Sequence, residues 1–107
     1  MSPDRDLKFV ANGGRLIAVA AAAAADTGFR TGRLYLISLM GAAGVGAMAA
    51  CRWGANDPTV ADAGFDFTVS IGEPILIRVP AGVTELRAIR VVAVDATLMA
   101  SLVDEGA

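Results

Sequence analysis

Turn-forming residues interrupt this chain at short, fairly even intervals, and that spacing limits the elements it can build. Asn12-Gly13-Gly14, Asp26-Thr27-Gly28, Gly41, Asn56-Asp57-Pro58, Gly72-Glu73-Pro74, Pro80-Ala81-Gly82 and Asp95 punctuate the sequence. Glycine and asparagine accept positive φ, and proline sets φ in advance, so each group favours a change of direction for a backbone reason. The segments between them predict about seven or eight short strands, the pattern of an all-β antiparallel sandwich, jelly-roll-like or a partly closed barrel. At 107 residues the chain is expected to form one β domain over 1–107. Within it, 7–31 reads as an N-terminal hairpin and Ala-rich segment, and 32–103 as the main sheet region.

The individual strands follow from side-chain alternation. LKFVA (7–11) and RLIAVA (15–20) flank Asn12-Gly13, a type I′ hairpin signal. The alanine run 20–25 is compatible with a strand or a short helix. GRLYLISLM (32–40) sets Leu34, Leu36, Ser38 and Met40 on one face and Arg33, Tyr35, Ile37 and Leu39 on the other. Both faces are largely apolar, so both are expected to be covered. Val45 to Trp53 is read as a strand with Val45, Ala47, Ala49, Cys51 and Trp53 on a shared face. GANDPTVADAG (54–64) is a loop. FDFTVS (65–70), ILIRV (75–79), TELRAIRVVAV (84–94) and ATLMASLV (96–103) complete the set.

Two segments imitate membrane signals. Residues 34–51 are uncharged between Arg33 and Arg52 and approach the length of a transmembrane helix. Their Gly and Ala content makes insertion weak, so a small membrane protein spanning with 34–51 is kept as a second alternative. LIAVAAAAAA (16–25) resembles the apolar part of a signal peptide, but Asp4 and Asp6 lie among the cations before it, the wrong charge pattern.

Composition then narrows function. Apolar residues make up 55% of the chain and charged residues 19%, with only 6% aromatic, so the excess is small and aliphatic. More apolar surface than one small core can hide implies burial against partners. A net charge of −2, one lysine and scattered arginines argue against nucleic acid. Histidine is absent and Cys51 stands alone, which removes the usual general base, the cysteine and histidine metal sets and any internal disulfide. Gly41-Ala42-Ala43-Gly44-Val45-Gly46 has the wrong order for a dinucleotide fingerprint. No catalytic or cofactor-binding residue is expected, and no cofactor. Asp57, Asp62 and Asp66 are weak calcium candidates, because Asp and Asn populate turns without a metal. Arg78, Arg87 and Arg90 read equally as surface positions or as inter-subunit partners of Glu73, Glu85 or Asp66. Trp53 reads as core packing beside Phe65 and Phe67, with an interface anchor as the other choice. Leu34, Leu36, Ile37, Trp53, Arg78, Arg87, Arg90 and Val92 are the interface candidates.

From about residue 32 to 103 the order of elements resembles small structural proteins of tailed bacteriophages and gene transfer agents. Trp53-Gly54, Gly72-Glu73-Pro74 and Val79-Pro80-Ala81-Gly82-Val83-Thr84 carry the likeness, with the closing strand that begins Ala96-Thr97-Leu98. The resemblance implies a β-sandwich mounted on a particle as a capsid decoration, head spike or fibre base. Its subunits would assemble with themselves and with other virion proteins, those of the capsid or spike, after synthesis in a bacterial cytoplasm. A carbohydrate- or receptor-binding sandwich is the first alternative, with Tyr35 and Trp53 as the only stacking candidates outside the phenylalanines.

Overall fold

The computed structural model describes residues 7–41 and 46–106. Eight strands follow in order: β1 (Phe9–Val19), β2 (Ala24–Asp26), β3 (Leu34–Met40), β4 (Met48–Trp53), β5 (Phe67–Ser70), β6 (Ile75–Arg78), β7 (Leu86–Arg90) and β8 (Ala96–Val103). They form two four-stranded antiparallel sheets packed as a sandwich, not a closed barrel. Sheet A has the order β1-β8-β3-β6 and sheet B the order β2-β7-β4-β5. Only β4 and β5 are consecutive neighbours in one sheet; every other connection passes from one sheet to the other, which is the winding of a jelly roll.

The turns explain that winding. Glu73 N–H donates to Ser70 O at 3.1 Å with Gly72 at φ 79°, and Val83 N–H donates to Pro80 O at 3.2 Å with Gly82 at φ 77°. Both are tight four-residue turns that need positive φ at their third position. Each delivers the chain to the opposite sheet, so neither closes a hairpin.

The Asn12-Gly13 hairpin is not formed. Phe9 pairs with Val103, and Gly14 through Val19 pair with Ser101 through Ala96, so both sides of the Asn-Gly pair lie on one strand against β8. Five residue steps on β1 oppose two on β8 between those pairings, and the bulge takes up the difference. Asn12 takes φ 59°, and a Cβ on Gly13 would sit 2.8 Å from that of Leu102. The positive-φ chemistry that signals a turn here shapes a bulge. Because β1 belongs to sheet A and β2 to sheet B, residues 7–31 are integral to the sandwich and not a separate hairpin. The alanine run resolves into a bend and the short β2, without a helix.

Residues 34–51 do not form one helix: β3 and the start of β4 lie in different sheets. No described helix is long and apolar enough to cross a membrane. The strand expected over 45–53 begins at Met48, and Val45 lies outside the described residues. The strand expected over 84–94 ends at Arg90, and Val91–Ala93 form a bend.

The core is assembled from unequal halves. Sheet A contributes Ile17, Val19, Tyr35, Ile37, Leu39, Leu98, Ala100 and Leu102, all buried. From sheet B and its approach come Ala47, Ala49, Cys51, Val69, Leu86 and Ala88. Three of these sheet B residues, Ala47, Ala49 and Ala88, are alanines, small side chains that face the larger ones of sheet A. At one end Phe29 packs on Tyr35 at 4.9 Å and edge-on to Trp53 at 5.6 Å, and Trp53 meets Phe67 at 5.8 Å.

A polar tie joins the sheets at the β1–β2 side. Arg15 Nε and Nη2 donate to the two carboxylate oxygens of Asp26 at 2.9 Å each, and Asp26 Oδ1 also accepts from Gly28 N–H at 2.7 Å. A Cβ at Gly28 would collide with the Arg15 guanidinium. Asp26 is the more enclosed partner, its side chain 13% exposed against 38% for Arg15. Asp26→Ala is expected to lower unfolding stability by about 2 kcal/mol, the scale of charge-assisted hydrogen bonds lost at a half-wetted site. A urea titration checks this through the midpoint, with the slope unchanged.

Candidate assembly surface

Alternation along a strand sends successive side chains to opposite faces, so burying Tyr35, Ile37, Leu39, Leu98, Ala100 and Leu102 turns their neighbours outward. The strand register then maps the outer face of sheet A row by row. Gly14, Ser101, Leu36 and Leu76 form one row, and Leu16, Met99 and Ser38 the next. Ala18, Thr97 and Met40 form a third, while Phe9 beside Val103 and Leu34 beside Arg78 finish the opposite end. Leu16 is 64% exposed, Met40 53%, Phe9 46% and Leu76 42%. Arg78 is the one charged side chain on this map. It sits at a corner, where it salt-bridges Glu105 at 2.7 Å and donates to Gly32 O at 2.9 Å. The same contact holds the Glu105 carboxyl below its usual range.

The outer face of sheet B is mixed: Met48, Ala50 and Ile89 share it with Thr68, Ser70 and a charged end. Arg52 and Arg87 lie directly across from each other on β4 and β7. Arg87 pairs with Glu85 at 2.7 Å and with Asp57 at 2.8 Å, and Arg52 donates to Asp57 O at 3.4 Å. The loop 54–64 folds back against this end with Pro58 buried. The two sheets thus differ in charge: the outer face of sheet B carries an arginine pair at its loop end, while the mapped residues of sheet A are neutral except for Arg78 at one corner.

Several interface candidates are resolved by these contacts. Leu34 and Leu36 lie half-buried on the outer face of sheet A. Ile37 is 0% exposed inside the core and has no surface to offer a partner. Trp53 is partly buried and packs against Phe29 and Phe67, while Phe65 is half-buried. Arg78, Arg87 and Arg90 are each engaged within the chain, the last with Asp95 at 2.8 Å. Val92 is 39% exposed in the bend after β7, on no strand. The sequence reading placed Met40 on the face of Leu34 and Leu36 but missed Leu16, Phe9 and Leu76. Their signal is the outward phase of strands whose inward phase is also apolar, and it becomes legible only once the register is known.

The three loop carboxylates do not converge. Asp57 faces Arg87, Asp62 accepts from the Thr59 hydroxyl, and Asp66 accepts from Trp53 N–H at 2.8 Å. The Thr59 contact also holds the Asp62 carboxyl below its ordinary range. Among the described residues no group of three or more metal-ligating side chains comes together. A polar cavity of about 40 Å³ lies between Asn12, Arg15, Arg30 and Tyr35, room for a water molecule or two and far short of a sugar ring. Tyr35, its hydroxyl accepting from Arg30 N–H at 3.0 Å, is 1% exposed and cannot stack on a carbohydrate.

Cys51 is fully enclosed, and burial pushes its thiol up to about 12. The thiolate is the reactive form, so the folded protein is expected to resist thiol reagents at pH 8 and to react with them only on unfolding. The unfolded thiol ionises near 9.0 while the folded one stays neutral well above that. Its contribution to stability is therefore constant below about pH 9 and falls by about 1.4 kcal/mol per pH unit above it. Denaturant midpoints of the wild type and Cys51→Ala from pH 8 to 11 read this difference: only the wild type carries that term.

No protein family, curated protein or solved structure matches this chain.

Proposed function

We propose that this chain is a non-enzymatic structural subunit that assembles with itself, of the kind that decorates a phage-like capsid or forms the base of a head spike or fibre. The observation that carries the reading is the outer face of sheet A, where rows of Leu, Met, Phe, Ala, Ser and Thr meet no charge except a corner arginine already paired. A lone protein normally turns polar residues to water on such a face, and contiguous apolar patches mark interaction sites. The jelly roll serves capsid proteins and lectins alike, so the winding leaves the choice to the surface. That surface favours assembly, since Tyr35 is buried and Trp53 is packed against Phe29 and Phe67. Absence of histidine removes the commonest catalytic base. On this reading the partners are further copies and neighbouring capsid or spike proteins, and the place of action is the virion, after synthesis in a bacterial cytoplasm.

The native mass of the purified protein tests the self-assembly half of this proposal. Sedimentation from micromolar to submillimolar concentration should show species heavier than the 10.9 kDa chain, with or without detergent. A monomer throughout would overturn it, and a heavier species that exists only in detergent would instead favour a membrane surface.

A further inference from the structure

We infer that two copies of this chain pack sheet A against sheet A across a two-fold axis, an inference that rests on the self-assembly reading above. The alternative route to a β assembly, continuing a sheet edge to edge, is obstructed at every edge strand. β6 is bracketed by Pro74 and Pro80, β2 has three residues, β5 has four, and β1 is distorted by its bulge at Asn12-Gly13. Short, proline-flanked and bulged edges are the ordinary means of preventing edge pairing. What remains open to a partner is the face.

The chemistry of that face suits an identical partner. When a surface meets itself across a two-fold, any cluster of like charges is brought toward its own copy and repels it. A face of neutral side chains avoids that cost whatever the orientation of the axis. The single guanidinium, Arg78, arrives with its own counter-charge in Glu105. A distinct charged partner, by contrast, would be selected by complementary charge, and this face carries none to read.

Area decides whether such a pair can hold. Four strands about 4.8 Å apart and about seven residues long give a face of roughly 19 by 23 Å. With side-chain relief and the protruding Leu16, Phe9, Met40 and Leu76, pairing removes roughly 1,000–1,200 Å² in total, the lower edge of stable interfaces. The pair should therefore form reversibly in the micromolar range. Contact between two copies of the same face is isologous, so the complex built on it contains an even number of chains.

Sedimentation equilibrium on the full chain, beside a Leu16→Glu/Leu76→Glu variant and a Thr68→Glu control on the outer face of sheet B, tests the inference. Leu16 and Leu76 are exposed at the opposite edge strands of sheet A, so both variants should keep the wild-type circular dichroism. The wild type should be a dimer or an even multiple. The sheet A variant should raise the dissociation constant at least about a hundredfold, as like charges meet in a desolvated contact, while Thr68→Glu leaves it unchanged. If the double variant fails to fold, the single Met40→Glu change, at a position 53% exposed, should weaken the pair in the same direction. An odd-numbered assembly would overturn the two-fold pairing. An assembly indifferent to Leu16, Leu76 and Met40, or dissolved equally by Thr68→Glu, would overturn the sheet A interface and leave self-assembly standing. A monomer at all concentrations would overturn both.

Discussion

Ile37→Asp should abolish cooperative folding, while Val92→Asp should change stability by no more than about 0.5 kcal/mol. Ile37 is 0% exposed at the middle of β3, paired with Ala100 on β8 and Ile75 on β6. A carboxylate there would have apolar neighbours on every side and no donor to satisfy it. Leaving it ionised or forcing it to protonate costs several kcal/mol, and the lost packing of the isoleucine adds to that. The sum approaches the whole stability of a domain, about 5–15 kcal/mol. Val92 stands in the bend after β7, 39% exposed, where a carboxylate keeps its water. Thermal unfolding followed by circular dichroism distinguishes the two. A cooperative transition for Ile37→Asp within a few degrees of the wild type would mean that β3 does not face the core through Ile37.

The contrast between these two residues shows what could be read in the sequence. Between 65 and 103 the segments are bounded by glycine and proline, and the all-β class, the closing strand 96–103 and most of the strand expected over 65–70, which begins at Phe67, are legible there. The strand 32–40 was legible too, down to its two faces, because turn chemistry and period-2 patterning are local signals. Partner choice is not local. Gly72 and Gly82 look like hairpin turns in isolation, but their strands belong to opposite sheets, and nothing within four residues encodes that. Asn12-Gly13 supplies positive φ, which serves a bulge as well as a reversal; the long β8 opposite decides between them. Val91–Val94 reads as an apolar strand, but Arg90 N–H already donates to Ala20 O and Val91 N–H to Met48 O, after which the ladder ends and the chain bends away. Leu34, Leu36 and Met40 were placed from the sequence on one face of their strand, and the outer faces of the other strands of sheet A were not. Leu16, Met99, Leu76 and Met40 come together only through the order β1-β8-β3-β6, a long-range property.

Leu98→Ala should cost about 4 kcal/mol, toward the upper part of the range for deleting a buried leucine side chain. Leu98 lies on β8, a central strand of sheet A, fully buried and directly between Ile17 on β1 and Leu39 on β3. The price of such a deletion depends on how far the surroundings can collapse into the space. Here they have little to move. Ala47, Ala49 and Ala88 in the same core have no side-chain rotamers, and the backbones on either side of Leu98 are held in the ladders to β1 and β3. A cavity therefore persists, and its lining loses contacts that no neighbour replaces. The outward-facing residue one step along β8 offers the comparison. Met99→Ala removes a side chain of similar length from the half-buried outer face and leaves no cavity, so in the monomer it should cost under about 1 kcal/mol. Chemical denaturation of both variants at low protein concentration measures the difference without any contribution from assembly. A cost for Leu98→Ala near 2 kcal/mol would mean that the sheets close up on the deletion, and that the alanines of sheet B do not fix the spacing between them.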